Sequence, residues 1–297
     1  MRERVGAGSR AAVVGIQRQA CHLGLDGDPL VILSAPGVPL APNGVAVGVA
    51  PDLTMPDAGF RVGQMVVLSD EDPGVCDADW LVVLTDALTW EPRPDIRRLT
   101  PGKLDDRLWA ARAVAIADGA GGSLLPLLWT TDGGAVARLD VARVASGPAR
   151  RLCEAAARGD APGVAAAASR LAGLGPGLTP SGDDLLSGFA AAWTLVGESQ
   201  GLDGPARSEV SYALVRGARR GASPLGRVWL EYANRGELPE PVTRVVDALF
   251  AADPRDLGPA VRTLLTVGAS SGTDWAVGLL LGARAALAAA NGMPAWW

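Results

Sequence analysis

One eight-residue pattern occurs twice in this chain and constrains any fold it can adopt. Ser181-Gly182-Asp183-Asp184-Leu185-Leu186-Ser187-Gly188 and Ser271-Gly272-Thr273-Asp274-Trp275-Ala276-Val277-Gly278 both read Ser-Gly-x-Asp-x-x-x-Gly, and each opens an apolar run of helical length. In a helix, residues four apart share a face, which is the spacing of Asp184 to Gly188 and of Asp274 to Gly278. Glycine on that face lets another helix approach closely. The pattern predicts two helices that cross with their N-termini converging, placing Ser181, Asp184, Ser271 and Asp274 around one pocket. Helix starts carry unpaired N–H groups and the positive end of the macrodipole, so they suit an anion or a metal–phosphate.

The first copy follows Gly173, Gly175 and Gly177, which alternate just before Thr179-Pro180. Glycines accept positive φ and let the backbone approach a ligand, as a phosphate-cradling loop requires. Thr179 is placed to act as N-cap and Pro180 as the first helical residue. Asp183 and Asp184 then fall in the first turns, where they stabilise the helix end and could hold Mg²⁺ on a phosphate. No other cofactor is indicated. The Walker pattern needs Lys followed by Ser or Thr, and neither follows these glycines. The dinucleotide fingerprint follows a strand, whereas residues 161–171 read as helix. The competing reading is structural: glycine-rich helix–helix turns whose caps pack a bundle tightly.

Texture divides the chain. Residues 11–16, 30–33, 44–49, 64–68 and 81–84 are short apolar or alternating runs separated by Gly, Pro, Asp and Asn. Such spacing predicts a small antiparallel barrel or sandwich over residues 1–95. A Pro-rich connector follows at residues 90–94. From residue 100 onward the periodicity is helical, with helices expected over 103–119, 122–129, 141–158, 161–171, 180–196, 207–219, 225–235, 241–251, 257–265 and 272–290. The expected class is α+β: a β-rich domain, then a helical domain (100–297) carrying both motifs.

Composition excludes several functions. A net charge of −5 and short, scattered Arg clusters argue against a nucleic-acid surface. Cys21, Cys76 and Cys153 lack metal-ligand spacing and read as free thiols of a reducing cytoplasm. The only histidine, His22, adjoins Cys21, and on a strand the two would point to opposite faces, which disfavours a catalytic pair. No signal sequence is evident. No run reaches the length of a membrane span, the last apolar helix being interrupted by Arg284. A soluble cytoplasmic protein is expected, with no nucleic-acid or membrane partner.

The two motifs, in this order and separation, resemble the family typified by the AllH-type subunit of oxamate carbamoyltransferase. Its signature Gly-x-Gly-x-Gly-Leu-Thr-Pro-Ser-Gly-Asp-Asp-(Phe/Leu)-Leu-x-Gly is matched almost throughout from Gly173 to Gly188. Its later motif, roughly Gly-His-(Ser/Thr)-Ser-Gly-x-Asp-x-x-x-Gly, corresponds to residues 268–278, with Ala269 in the histidine position. Gly59-Phe-Arg-Val-Gly-Gln-Met-Val66 fits the family's β-rich beginning. Between the motifs, the family's Thr-Thr-x-(Leu/Ile)-Ser segment corresponds to Ala222-Ser223-Pro224-Leu225-Gly226, where Ser223 keeps one hydroxyl and Gly226 replaces a serine.

The resemblance implies allantoin-type purine nitrogen catabolism within a complex of companion carbamoyltransferase subunits. The implied reaction converts oxalurate and phosphate to oxamate and carbamoyl phosphate. The residues then expected to bind the small anionic substrate are Gly175, Gly177, Thr179, Ser181, Gly182, Ser223, Ser270, Ser271 and Gly272, with Asp183, Asp184 and Asp274 catalytic and Asp183 and Asp184 the candidate metal ligands. Ala269 and Gly226 favour the alternative, a non-catalytic scaffold or small-anion-binding subunit.

Overall fold

The structure is a computed structural model that describes residues 9–25, 30–48, 50, 53–70, 77–85, 87–129 and 141–297. The expected turns at 26–29 and 72–74, together with Cys76, lie outside the described residues. The chain divides into two compact units, Met1–Pro92 and Arg93–Trp297.

The first unit is a curled, six-stranded mixed sheet. Its strands are β1 (Ser9–Ile16), β2 (Ala20–Leu25), β3 (Leu30–Ser34), β4 (Gly44–Ala46), β5 (Met65–Ser69) and β6 (Trp80–Val83), in the order β4-β3-β2-β1-β5-β6. The three central pairings are antiparallel, as expected, but both edge strands run parallel to their neighbours. Alternation turns Val13, Leu23, Leu33, Val66 and Leu68 into one core, which Met55 and Phe60 close. Strand β2 was not among the expected runs, because Gly24 and His22 interrupt its apolar pattern. It buries Cys21 completely and leaves His22 half-buried on the other face. Burial pushes the Cys21 thiol up to about 11 and lowers His22, so neither behaves as an activated catalytic group.

The second unit is helical: α1 (Pro101–Asp118), α2 (Val141–Ala157), α3 (Ala161–Leu171), α4 (Ser181–Ser199), α5 (Gly204–Ala218), α6 (Pro224–Asn234), α7 (Glu240–Phe250), α8 (Leu257–Leu265) and α9 (Ser271–Asn291). Side chains of Thr100, Asp160, Asp203 and Ser223 cap α1, α3, α5 and α6, each followed by Pro within the first two positions. The helix expected over 122–129 is a single 3₁₀ turn, Leu125–Leu128, with Pro126 inside it. The unit thus confirms the α+β class.

Helices α4 and α9 are the unit's centre. Every residue of α4 is buried except Glu198. Helix α9 is, by length and composition, apolar enough to cross a membrane, which corrects the expectation that no run reaches that length, yet it is mostly buried within the protein. The Arg284 charge inside it is met by Asp105, by the Pro294 carbonyl at 2.9 Å and by the Trp297 ring 4.7 Å away.

Candidate functional site

The glycines of the two motifs set α4 and α9 side by side with backbones nearly touching. A Cβ on Gly188 would lie 2.3 Å from the Trp275 carbonyl oxygen, one on Gly278 2.2 Å from that of Leu185, and one on Gly282 2.4 Å from that of Phe189. The first two contacts exchange equivalent motif positions, so a local two-fold relation links the helices. The helices run in the same direction, and their positive ends lie together.

The relation extends into the preceding turns. A Cβ on Gly182 would meet the Leu171 carbonyl oxygen at 1.9 Å, and one on Gly272 would meet that of Leu264 at 1.8 Å. The Gly182 N–H donates to the Leu174 carbonyl at 2.8 Å, and the Gly272 N–H to that of Val267 at 3.0 Å. Neither N–H is therefore available to an anion, contrary to the expected binding role of both glycines. Each glycine instead lets its helix start against the end of the helix before it.

The first turn is longer by a short, exposed insertion. Eleven positions separate Leu171 from Gly182, but only eight separate Leu264 from Gly272. The insertion contains Gly175 (φ 107°) and Gly177 (φ 100°), the positive-φ conformations expected of them, and Pro176 to Leu178 are exposed. Pro180, not Thr179, occupies the N-cap of α4 and makes no side-chain cap. Thr179 is thereby freed to meet α9, its hydroxyl lying 3.1 Å from that of Ser271. Ser270, the N-cap of α9, also makes no side-chain cap bond. Thr179, Ser270 and Ser271 are all partly exposed at this seam, while Ser181 is buried beneath Gly175.

The three aspartates differ sharply in occupation. Asp183 accepts the Gly173 N–H on Oδ1 at 2.7 Å and the Ser223 N–H on Oδ2 at 2.8 Å, tying the glycine turn and α6 to α4. The Ser223 hydroxyl accepts the Gly226 N–H at 3.0 Å, so both of its groups serve the fold. A Cβ at Gly226 would fall 2.3 Å from Asp183 Oδ2, so the absent side chain there is a condition of this docking. In the second copy, Thr273 Oγ1 accepts the Ala120 N–H at 3.0 Å and Asp274 Oδ1 accepts the Leu124 N–H at 2.7 Å, fixing the segment after α1. Sequence reading gave no sign of Ala120 or Leu124, whose contribution is backbone alone.

Asp184 stands apart. It is 1% exposed, and neither carboxyl oxygen has a partner in full hydrogen-bond geometry among the described residues, the closest donors being the Ser271 and Thr179 hydroxyls. Burial raises its pKa well above the usual carboxylate range; the nearby Ser271 and Thr179 hydroxyls pull it down, and Asp274 and Asp183 push it up. Burial thus favours the protonated form of this carboxyl, which lies directly beneath the seam. Both Asp183 oxygens are already engaged by backbone donors and Asp184 is buried, which leaves few accessible oxygens here for Mg²⁺. Among the described residues, no group of three or more His, Cys, Asp or Glu could hold a metal ion.

Residues 171–283 match the family described as oxamate carbamoyltransferase subunit AllH. The AllH match begins at the carbonyl that seats Gly182, contains both motifs, and ends just beyond Gly282. It therefore spans the whole α4–α9 seam, and the AllH-type resemblance read from the motifs holds for this region. No solved structure matches the chain.

Proposed function

We propose that this chain is a subunit of a carbamoyltransferase that moves a carbamoyl group between oxalurate and phosphate, giving oxamate and carbamoyl phosphate. It would act with companion subunits in cytoplasmic, allantoin-type nitrogen catabolism. The observation that carries this reading is the seam within the AllH-matched region: two helix starts joined through Thr179 and Ser271 above the buried Asp184, whose pKa burial raises. A phosphate or carboxylate oxyanion at the seam would accept from the hydroxyls of Thr179, Ser270 and Ser271 and lie at two positive helix ends.

The reaction requires a phosphate oxygen to attack the carbamoyl carbon, the carbon–nitrogen bond to oxamate to break, and the departing nitrogen to gain a proton. In this scheme Asp184, whose burial favours the protonated form, gives that proton, with the Thr179 and Ser271 hydroxyls beside it. The proton it gives is restored by the attacking hydrogen phosphate, so the step balances. Neutral acids of this kind suit general acid catalysis near neutral pH.

The direct test is carbamoyl phosphate formation from oxalurate and phosphate by companion subunits with and without this chain. Formation that depends on the chain is expected; an equal rate in its absence would overturn the proposal. A non-catalytic, anion-binding or scaffolding subunit is the second reading, favoured by Ala269, which is exposed beside the seam where the family pattern has histidine. Its scaffolding form predicts that the chain is required but that Thr179→Val and Ser271→Ala leave the rate unchanged.

A further inference from the structure

We propose that the open cleft lined by α4, α5 and α6 is a second binding site, for a small carboxylate that also carries amide, ureido or amino N–H donors. The cleft holds about 570 Å³, within the range usual for small-molecule sites. It lies along the C-terminal half of α4, at Thr194 and Glu198. At 1.5 Å per residue, Thr194 is roughly 15 Å along the helix from Asp184, so this cleft is separate from the seam.

Its floor contains polar groups that the protein leaves unused. Ser211 on α5 is only 7% exposed and lines the cleft, and its hydroxyl makes no hydrogen bond among the described residues. Asn234 on α6 also lines it, and its buried Oδ1 has no donor. Thr194 fixes this floor by donating to the Asn234 carbonyl at 3.1 Å. The Ser211 hydroxyl, lining the cleft and open to it, is the group there that a ligand donor or acceptor would pair with.

The rim supplies complementary charge. Arg93 is neutralised by Glu198 at 2.7 Å, and Arg235 is paired with Glu237. Arg207 has no acidic partner among the described residues; one N–H is held by the Leu202 carbonyl at 3.2 Å, which orients the remaining guanidinium. That fork fits a carboxylate. Exposed Glu231 on the opposite helix, with no cationic partner among the described residues, fits N–H donors.

The test is calorimetric titration of the full chain with N-carbamoylglycine, with glycine, and with glycolate as a carboxylate lacking nitrogen donors. Binding of at least one nitrogen-bearing probe more tightly than glycolate is expected. Arg207→Ala and Ser211→Val should each weaken it at least tenfold, Arg207→Lys should weaken it less, and Asp184→Asn should leave it unchanged. Absence of binding by both nitrogen-bearing probes would overturn the proposal. So would binding unaffected by Arg207→Ala and Ser211→Ala, two smaller-footprint variants whose folding circular dichroism would verify, or binding lost in Asp184→Asn, which would place the ligand at the seam.

Discussion

Asp184 and Asp274 occupy equivalent places in the two motifs, yet only Asp274 is recruited to hold a neighbouring backbone N–H. The consequence for Asp184 is measurable. Its folded-state pKa lies above the value of 3.8 expected when unfolded, so between those values the unfolded chain releases a proton that the folded chain retains. Stability therefore falls as pH rises through that window. Asp184→Asn, which keeps the shape of the neutral acid, should be more stable than the parent at pH 7, with the advantage shrinking as pH falls towards 4. Denaturant titrations across pH check this, and a constant difference would contradict a raised pKa. Asp183 makes the opposite case. Asp183→Ala leaves the N–H groups of Gly173 and Ser223 without their acceptor, and at about 1–3 kcal/mol per unsatisfied buried group it should cost roughly 3 kcal/mol in the same titration.

At the scale of elements, α4 and α9 depend on glycine more than on hydrophobic area. Alanine normally improves a helix over glycine by about 1 kcal/mol. At Gly278, however, the added Cβ would sit 2.2 Å from the Leu185 carbonyl oxygen, and overpacking typically costs about 1–3 kcal/mol. Gly278→Ala should therefore destabilise the chain by about 2 kcal/mol, whereas Gly102→Ala in α1, where nothing lies within 4 Å, should be neutral or stabilising. Thermal melts of the two variants separate these outcomes. Much of this pairing was legible in the sequence, because the Asp-to-Gly spacing fixes a helix face and the repeat fixes two such faces. Strand β2 was not legible, since Gly24 and His22 break its pattern and its partners lie elsewhere in the sheet. Nor was the parallel direction of β4 and β6, which depends on chain return rather than on side-chain alternation. The cap of α4 was misread by one residue because Thr-Pro is an ordinary helix start. Here Thr179 instead answers to Ser271, 92 positions away.

Over the whole molecule, each unit has its own apolar core, one centred on Val13, Leu23, Leu33, Val66 and Leu68 and the other on α4 and α9. We expect differential scanning calorimetry to resolve two transitions, with Leu33→Ala lowering only one of them. A single transition that Leu33→Ala lowers as a whole would contradict separate folding. The second unit contains all the residues of the seam, and the AllH match covers α4 and the first part of α9. Pseudo-symmetry explains how the site arises: equivalent glycines seat equivalent helices, and the features that break the equivalence, the longer glycine turn and an Asp184 that holds no backbone N–H, mark where chemistry would occur. The decisive measurement is the rate of oxalurate phosphorolysis by this chain assembled with its companion subunits, comparing the parent with Asp184→Asn. A fall of at least a hundredfold with the complex intact is the predicted result, in the range expected for loss of a proton donor, and an unchanged rate would contradict a catalytic seam.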